Sequence, residues 1–285
     1  MRSTRVSIFL VGLAVLLGAL TDTRGARADE IAPGLEGADL RARAQAELKR
    51  LVSALRDEDR RRLVGVYAAF DASAADPFAQ VACDDDGDYV VVVSDAMLRL
   101  LTHVARAASY DEADGSRKVE EYAAFVARAQ PLGRRLLPPP PGFHVAEGRG
   151  ATYAERFAEA LGFVLAHELA RLRAGDLACP RPTETKERGD DDWTSAEQRG
   201  AAAIAARVYP RHQDVRDAEA VDRATEGGRS SRGALAVLRF FAELEAERAR
   251  RPGGFSPTYL AHHPSASARS ARLRRALEVR ERAGE

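Results

Sequence analysis

Two cysteines, Cys83 and Cys179, are all the thiol chemistry in 285 residues. Neither has a partner at C-x-x-C spacing, which argues against a thiolate metal site. Lysine is nearly missing: Lys49, Lys118 and Lys186 carry all of it, and arginine supplies the remaining basic charge. An alanine- and arginine-rich composition of this kind reads as a bias of the source rather than as a binding surface. Charge of one sign is lacking too, since 43 basic and 43 acidic residues cancel. That balance gives no electrostatic reason to expect nucleic acid. No G-x-S-x-G elbow is present, and neither Gly227-Gly228 nor Gly253-Gly254 forms a phosphate-binding loop. The acidic run Asp84-Asp85-Asp86-Gly87-Asp88 lacks the twelve-residue loop ending in glutamate that calcium needs, so it reads as a solvated turn. Internal repeats and heptad arrays are absent as well.

What is present begins with Arg2 and Arg5, an apolar stretch from Val6 to Leu20 and the triplet Ala26-Arg27-Ala28. This is the order of a secretory signal peptide, cleaved after Ala28, with an uncleaved anchor as the alternative. The apolar run is shorter than the roughly 20 residues a membrane span needs. Residues 29–285 then form a single domain with no further span, in the periplasm or outside the cell. Removing residues 1–28 takes away four arginines and Asp22, leaving 39 basic and 42 acidic residues and a net charge of −3. In an oxidising compartment the two cysteines predict a disulfide, Cys83 to Cys179, against the alternative of two buried thiols.

Helical spacing of Leu40, Leu48, Leu51, Leu55, Leu63, Val66 and Tyr67 predicts helix from Asp39 to Phe70, restarting at Asp57. The Asp-Gly pair between Phe78–Ala82 and Tyr89–Val93 predicts a β-hairpin. Helices follow from the Ser94 cap to about Ala108 and over about Ser116 to Ala129, before the stiff tract Pro138 to Pro141. Thr152 with Glu155 resembles a capping box for a long helix that stops near Gly175. A polar loop covers Arg181 to Asp192. Further helices are expected from Thr194 to Tyr209, Val215 to Thr225, Ser230 or Ser231 to Pro252, and Ser267 to Ala283. The fold class is α+β, mainly helical with one small sheet.

Chemistry concentrates in Ala166-His167-Glu168-Leu169-Ala170-Arg171. A zinc hydrolase helix of the H-E-x-x-H type needs two imidazoles one turn apart and a glutamate that takes a proton from metal-bound water. Here His167 and Glu168 are present, while Arg171 stands where the second imidazole belongs. Arginine stays protonated and offers no lone pair to a metal. The bland reading is a surface histidine beside a Glu168–Arg171 pair at i, i+3.

Several elements taken together extend the pattern. They are Asp76-Pro77-Phe78-Ala79, Tyr89 to Ser94 leading into Asp95-Ala96-Met97-Leu98, and His167 to Arg171 with Asp176 nine residues after His167. Glu219-Ala220-Val221-Asp222 and His263-Pro264-Ser265 with Arg269 follow. In this order the chain resembles the zinc metalloendopeptidases of the HtpX and CAAX-prenyl-protease type. The resemblance implies a zincin-like domain with an insertion at about 103–150. It also implies Glu168 as catalytic base, His167 and Glu219 as metal ligands, and Asp176 and Asp222 beside them. The ligand register is imperfect: aligning Asp222 with the family's aspartate puts the glutamate position on Ala218, and taking Glu219 as ligand puts the aspartate position on Arg223.

Two functional expectations result. One is an exported, catalytically impaired or silent relative with a degenerate His-Glu-x-x-Arg site, zinc absent or weakly held, and Arg171 in place of the metal's charge. Such a protein holds a polypeptide or envelope protein, with the strand Tyr89 to Val93 offering an edge. The alternative is an active envelope zinc metalloendopeptidase with an altered ligand set, completed by His263, His262, His212 or His103.

Overall fold

The structure, a computed structural model, describes residues 37–179 and 213–283 except 64, 85, 132, 145–149, 227, 252–254, 258, 261, 262 and 264. The expected signal peptide, the loop at 181–192 and the helix at 194–209 lie outside the described residues, as do His212 and His262.

Helices dominate: α1 Gly37–Ser53, α2 Asp57–Arg62, α3 Asp95–Asp114, α4 Lys118–Ala129, α5 Gly150–Arg173, α6 Gln213–Glu226, α7 Arg232–Arg250 and α8 Ala266–Ala283. Three strands, β1 Tyr67–Asp71, β2 Ala79–Cys83 and β3 Tyr89–Ser94, form one sheet in the order β1-β3-β2. The mainly helical α+β architecture expected from periodicity is therefore the one observed. No helix among the described residues is long and apolar enough to cross a membrane.

The hairpin forms where Asp-Gly placed it. Cys83 pairs with Tyr89 across the turn, Gly87 takes φ +81°, and its N–H donates to the Asp84 carbonyl at 3.1 Å. The Asp84 carboxylate accepts from Asp86 N and Asp88 N, so the acidic run caps its own turn. Two sequence expectations need correction. Tyr67–Asp71 is a strand, not the end of a helix, and it runs parallel to β3 from Tyr67↔Val90 to Asp71↔Ser94. In consequence β3 lies in the middle of the sheet and has no edge to offer, and its Val90 to Val93 run is the continuous apolar pattern of a strand covered on both faces.

Ser94 ends β3 and caps α3: its Oγ accepts from Met97 N at 3.0 Å. The same hydroxyl donates to the Asp76 carbonyl at 2.9 Å and accepts from Phe78 N, tying the Asp76-Pro77-Phe78 segment to the sheet. The segment expected to be an insertion contributes Val104, Val119, Tyr122 and Val126 to the common core.

Helix α5 is the centre of the domain and packs against α1, α3, α6, α7 and β2. It begins at Gly150, so Thr152 lies inside the first turn rather than at the cap. From Glu159 to Ala170 every residue is buried, which is the signature of a helix surrounded on all sides. Close approach requires glycine at the crossing with α7, where a Cβ on Gly233 would stand 2.4 Å from Ala160 N. The helix ends where expected: Gly175 takes φ +75° and its N–H donates to the Leu172 carbonyl. Four residues later Cys179 forms a disulfide with Cys83, which ties the end of this helix to β2.

Candidate functional site

Because α5 is enclosed, His167 and Glu168 lie inside the protein rather than on a helix surface, each 1% exposed or less. A carboxylate removed from water needs compensation. Glu168 Oε2 accepts from Arg171 Nη1 at 2.8 Å, and Oε1 lies 3.2 Å from Nε2 of His263. Burial pushes the Glu168 pKa up, but Arg171 and the two histidines outweigh it and hold the pKa near 2. The carboxylate is therefore charged throughout the physiological range.

His167 is held from the other side. Its Nδ1 lies 2.9 Å from Oδ1 of Asp217 on α6. Asp217 in turn receives two hydrogen bonds from the Arg269 guanidinium on α8, both at 2.6 Å. Burial raises the Asp217 pKa, and Arg269 followed by His167 drives it well below the usual carboxylate range. Arg269 is itself 1% exposed, and against the cost of its burial Tyr259 and Asp217 keep it firmly cationic.

His263 enters from the segment before α8. Its ring stacks on Tyr259 at 4.2 Å, meets His167 edge-on at 5.0 Å, and places Nδ1 3.0 Å from the Tyr259 carbonyl. Burial outweighs the attraction of Glu168 and lowers the His263 pKa to about 3. Two residues on, Ser265 takes φ +60°, a left-handed conformation unusual for a residue with a side chain. That turn leads into the helix that delivers Arg269, whose N–H donates to the Ser265 carbonyl.

The structure thus brings together His167, Glu168, Arg171, His263 and Arg269, all singled out from the sequence, and adds Asp217, which pairs with Arg269. Glu168 with Arg171 and Asp217 with Arg269 make two opposite charge pairs, so these four ionised groups sum to zero. Glu219 is not in it. Two residues beyond Asp217 on α6, about 200° around the helix, it pairs with Arg173. Asp176 bonds Arg216 at 3.2 Å. Asp222 lies on the wall of a cavity of about 450 Å³ between α6 and α8, whose lining also includes Asp217, Glu219, Arg269, Arg272 and Leu273. His103 sits elsewhere, against Tyr122.

The ligand set that the sequence resemblance implies does not fit. A guanidinium occupies the second imidazole position, and Glu219 is committed to Arg173 on another face of α6. Asp217 escaped the sequence reading, which weighed Ala218 and Glu219. Periodicity could have found it, since Asp217, Ala220, Val221 and Ala224 follow i, i+3, i+4, i+7 and all four are buried. No family model, curated protein or solved structure matches the chain, so the site's own geometry has to carry the functional argument.

Proposed function

We propose that this protein is an exported, catalytically silent relative of the zinc metallopeptidases that holds a polypeptide without cutting it. The observation that carries the reading is the 2.8 Å bond from Arg171 to Glu168, both on α5. A general base must be free to take a proton from the attacking water, whereas this carboxylate is buried and engaged by a permanent cation. The same cation cannot replace the missing ligand. Export agrees with the disulfide, since such bonds persist in oxidising compartments. For an extended polypeptide the outer strands among the described residues are β1 and β2, and β2 packs on α5, the helix that carries His167 and Glu168.

The presence of His263 beside His167 and Glu168 favours one alternative, an active metalloendopeptidase with an altered ligand set. One experiment separates the two. Mature protein, starting near Asp29, is incubated with casein with and without added zinc, beside its Glu168→Gln variant. The silent reading expects no cleavage above background in any sample, and retention of unfolded casein on the immobilised protein. Cleavage by wild type that Glu168→Gln abolishes would establish the enzyme instead.

A further inference from the structure

Within the cluster, ligand atoms of His167, Glu168 and His263 all lie within 4.8 Å of one another, and all three residues are buried. The Nδ1 partners of the two rings matter most. His167 Nδ1 faces Asp217, and His263 Nδ1 faces the carbonyl of Tyr259. Both partners are acceptors: the His263 contact is a hydrogen bond that suits a proton on Nδ1, which leaves that ring's lone pair on Nε2, while His167 Nδ1 stands at ion-pair distance from Asp217. Histidines that bind metals are typically fixed in this way, with the second nitrogen donating to a carboxylate or a backbone carbonyl.

For His263 the consequence is direct. Its Nε2 points at Glu168 Oε1 from 3.2 Å. With one proton on the ring and none on the carboxylate, one of the ring's two nitrogen–oxygen contacts lacks a hydrogen. A cation bridging Nε2 and Oε1 supplies the missing positive charge. The spacing suits it, because donors about 2.0–2.1 Å from a tetrahedral ion stand about 3.4 Å apart.

We propose that His167, Glu168 and His263 form a buried three-donor binding site for one divalent transition-metal ion, and that Arg171 competes with that ion for the Glu168 carboxylate. Two imidazoles with one carboxylate suit zinc, cobalt, nickel or copper and not magnesium or calcium. The inference rests on the silent reading, because it makes Glu168 a ligand and leaves no base. Charge explains the competition. With Arg171 in place the four ionised groups sum to zero, so a divalent ion would add two uncompensated charges. The Arg171 side chain is 12% exposed, against 1% for Arg269, so it is the arginine that can turn outward when the ion enters. Oε2 then loses its guanidinium while Oε1 gains the metal.

The test titrates cobalt(II) into mature wild type, Arg171→Ala and Arg171→Gln, reading the visible d–d absorption, with zinc as competitor. Arg171→Gln keeps a donor near Glu168 and guards against a variant that fails to fold. The expected result is cobalt binding at least tenfold tighter in the Arg171 variants than in wild type, displaced by zinc and lost when His263→Ala is added. Equal affinities in wild type and both variants, or a cobalt band indifferent to His263→Ala, would overturn the site. Casein cleavage by the metal-loaded wild type that Glu168→Gln abolishes would overturn both this proposal and the silent reading. A missing cobalt band without cleavage would sink the metal site alone.

Discussion

Helix α5 buries two carboxylates, Glu159 and Glu168, and the two ends of the helix use them differently. Nine residues apart, they face about 180° away from each other around the axis. Each is joined to an arginine one turn away, Arg156 at 2.7 Å and Arg171 at 2.8 Å. The remaining partners of Glu159 are hydrogen-bond donors only: the Ser230 hydroxyl and the backbone N–H of Gly233, at the start of α7. Arg156 continues to Glu112 on α3 through two further bonds. That end is a pin holding three helices. Glu168 instead meets two imidazoles, which are metal donors as well as hydrogen-bonding groups. A buried carboxylate–arginine pair is thus a common structural device in this chain, and the histidines are what make one of the two a candidate site.

The comparison breaks most visibly at Glu159. Glu159→Ala leaves Arg156, with a side chain only 4% exposed, with Glu112 and the more exposed Glu155 and without its one buried partner. We expect a loss of about 3–5 kcal/mol in urea unfolding, unaffected by zinc. Arg171→Ala strands the Glu168 charge but next to a partly exposed position, so about 2–3 kcal/mol is expected. Here added zinc should return part of the loss, and that metal response is the contrast with Glu159. If both variants answer zinc alike, the two ends are equivalent and the distinction fails.

Severing the tie at the C-terminal end tests whether it is also held covalently. The Cys83–Cys179 bridge joins residues 96 positions apart. Replacing both by serine should cost about 2–4 kcal/mol, and unreduced wild type should not take up an alkylating reagent after denaturation.

The smallest effect concerns a histidine outside either end. His144 is 2% exposed, stacked on Tyr110, and burial followed by Arg106 lowers its pKa to about 3, while nearby His103 is lowered by burial to about 4. Their folded pKa values lie below the unfolded value of 6.5. The unfolded chain therefore binds more protons below pH 6.5, and stability falls as pH drops from there toward 4. His144→Phe should flatten that fall while changing little at pH 7. An unchanged urea midpoint profile between pH 6.5 and 4 would show that His144 charges freely in the fold.

Much of the candidate site was legible as residue types and little of it as geometry. His167, Glu168, Arg171 and His263 stood out because their chemistry is rare in an apolar helix or a proline turn. Asp217 did not, because one aspartate among Asp214, Asp217, Glu219 and Asp222 looks like any other until the helix is oriented. β1 was missed for a related reason. Val66 and Tyr67 continue a helical spacing, and only pairing with β3, more than twenty residues away, makes Tyr67–Asp71 extended.

The sequence by itself determined the features whose causes are local. Asp-Gly made the hairpin, Ser94 capped α3, Gly175 ended α5, and apolar periodicity drew most of the described helices. Two cysteines in a chain with a secretory leader pattern could also be paired on chemical grounds. Tertiary structure alone decided that α5 is enclosed on every side, that β3 has no edge, and that Asp217 rather than Glu219 faces His167. Turn and cap energies depend on a few neighbouring residues. The meeting of His263 with Glu168, or Arg269 with Asp217, depends instead on how helices distant in the chain pack, and on the need of each buried charge for an opposite one.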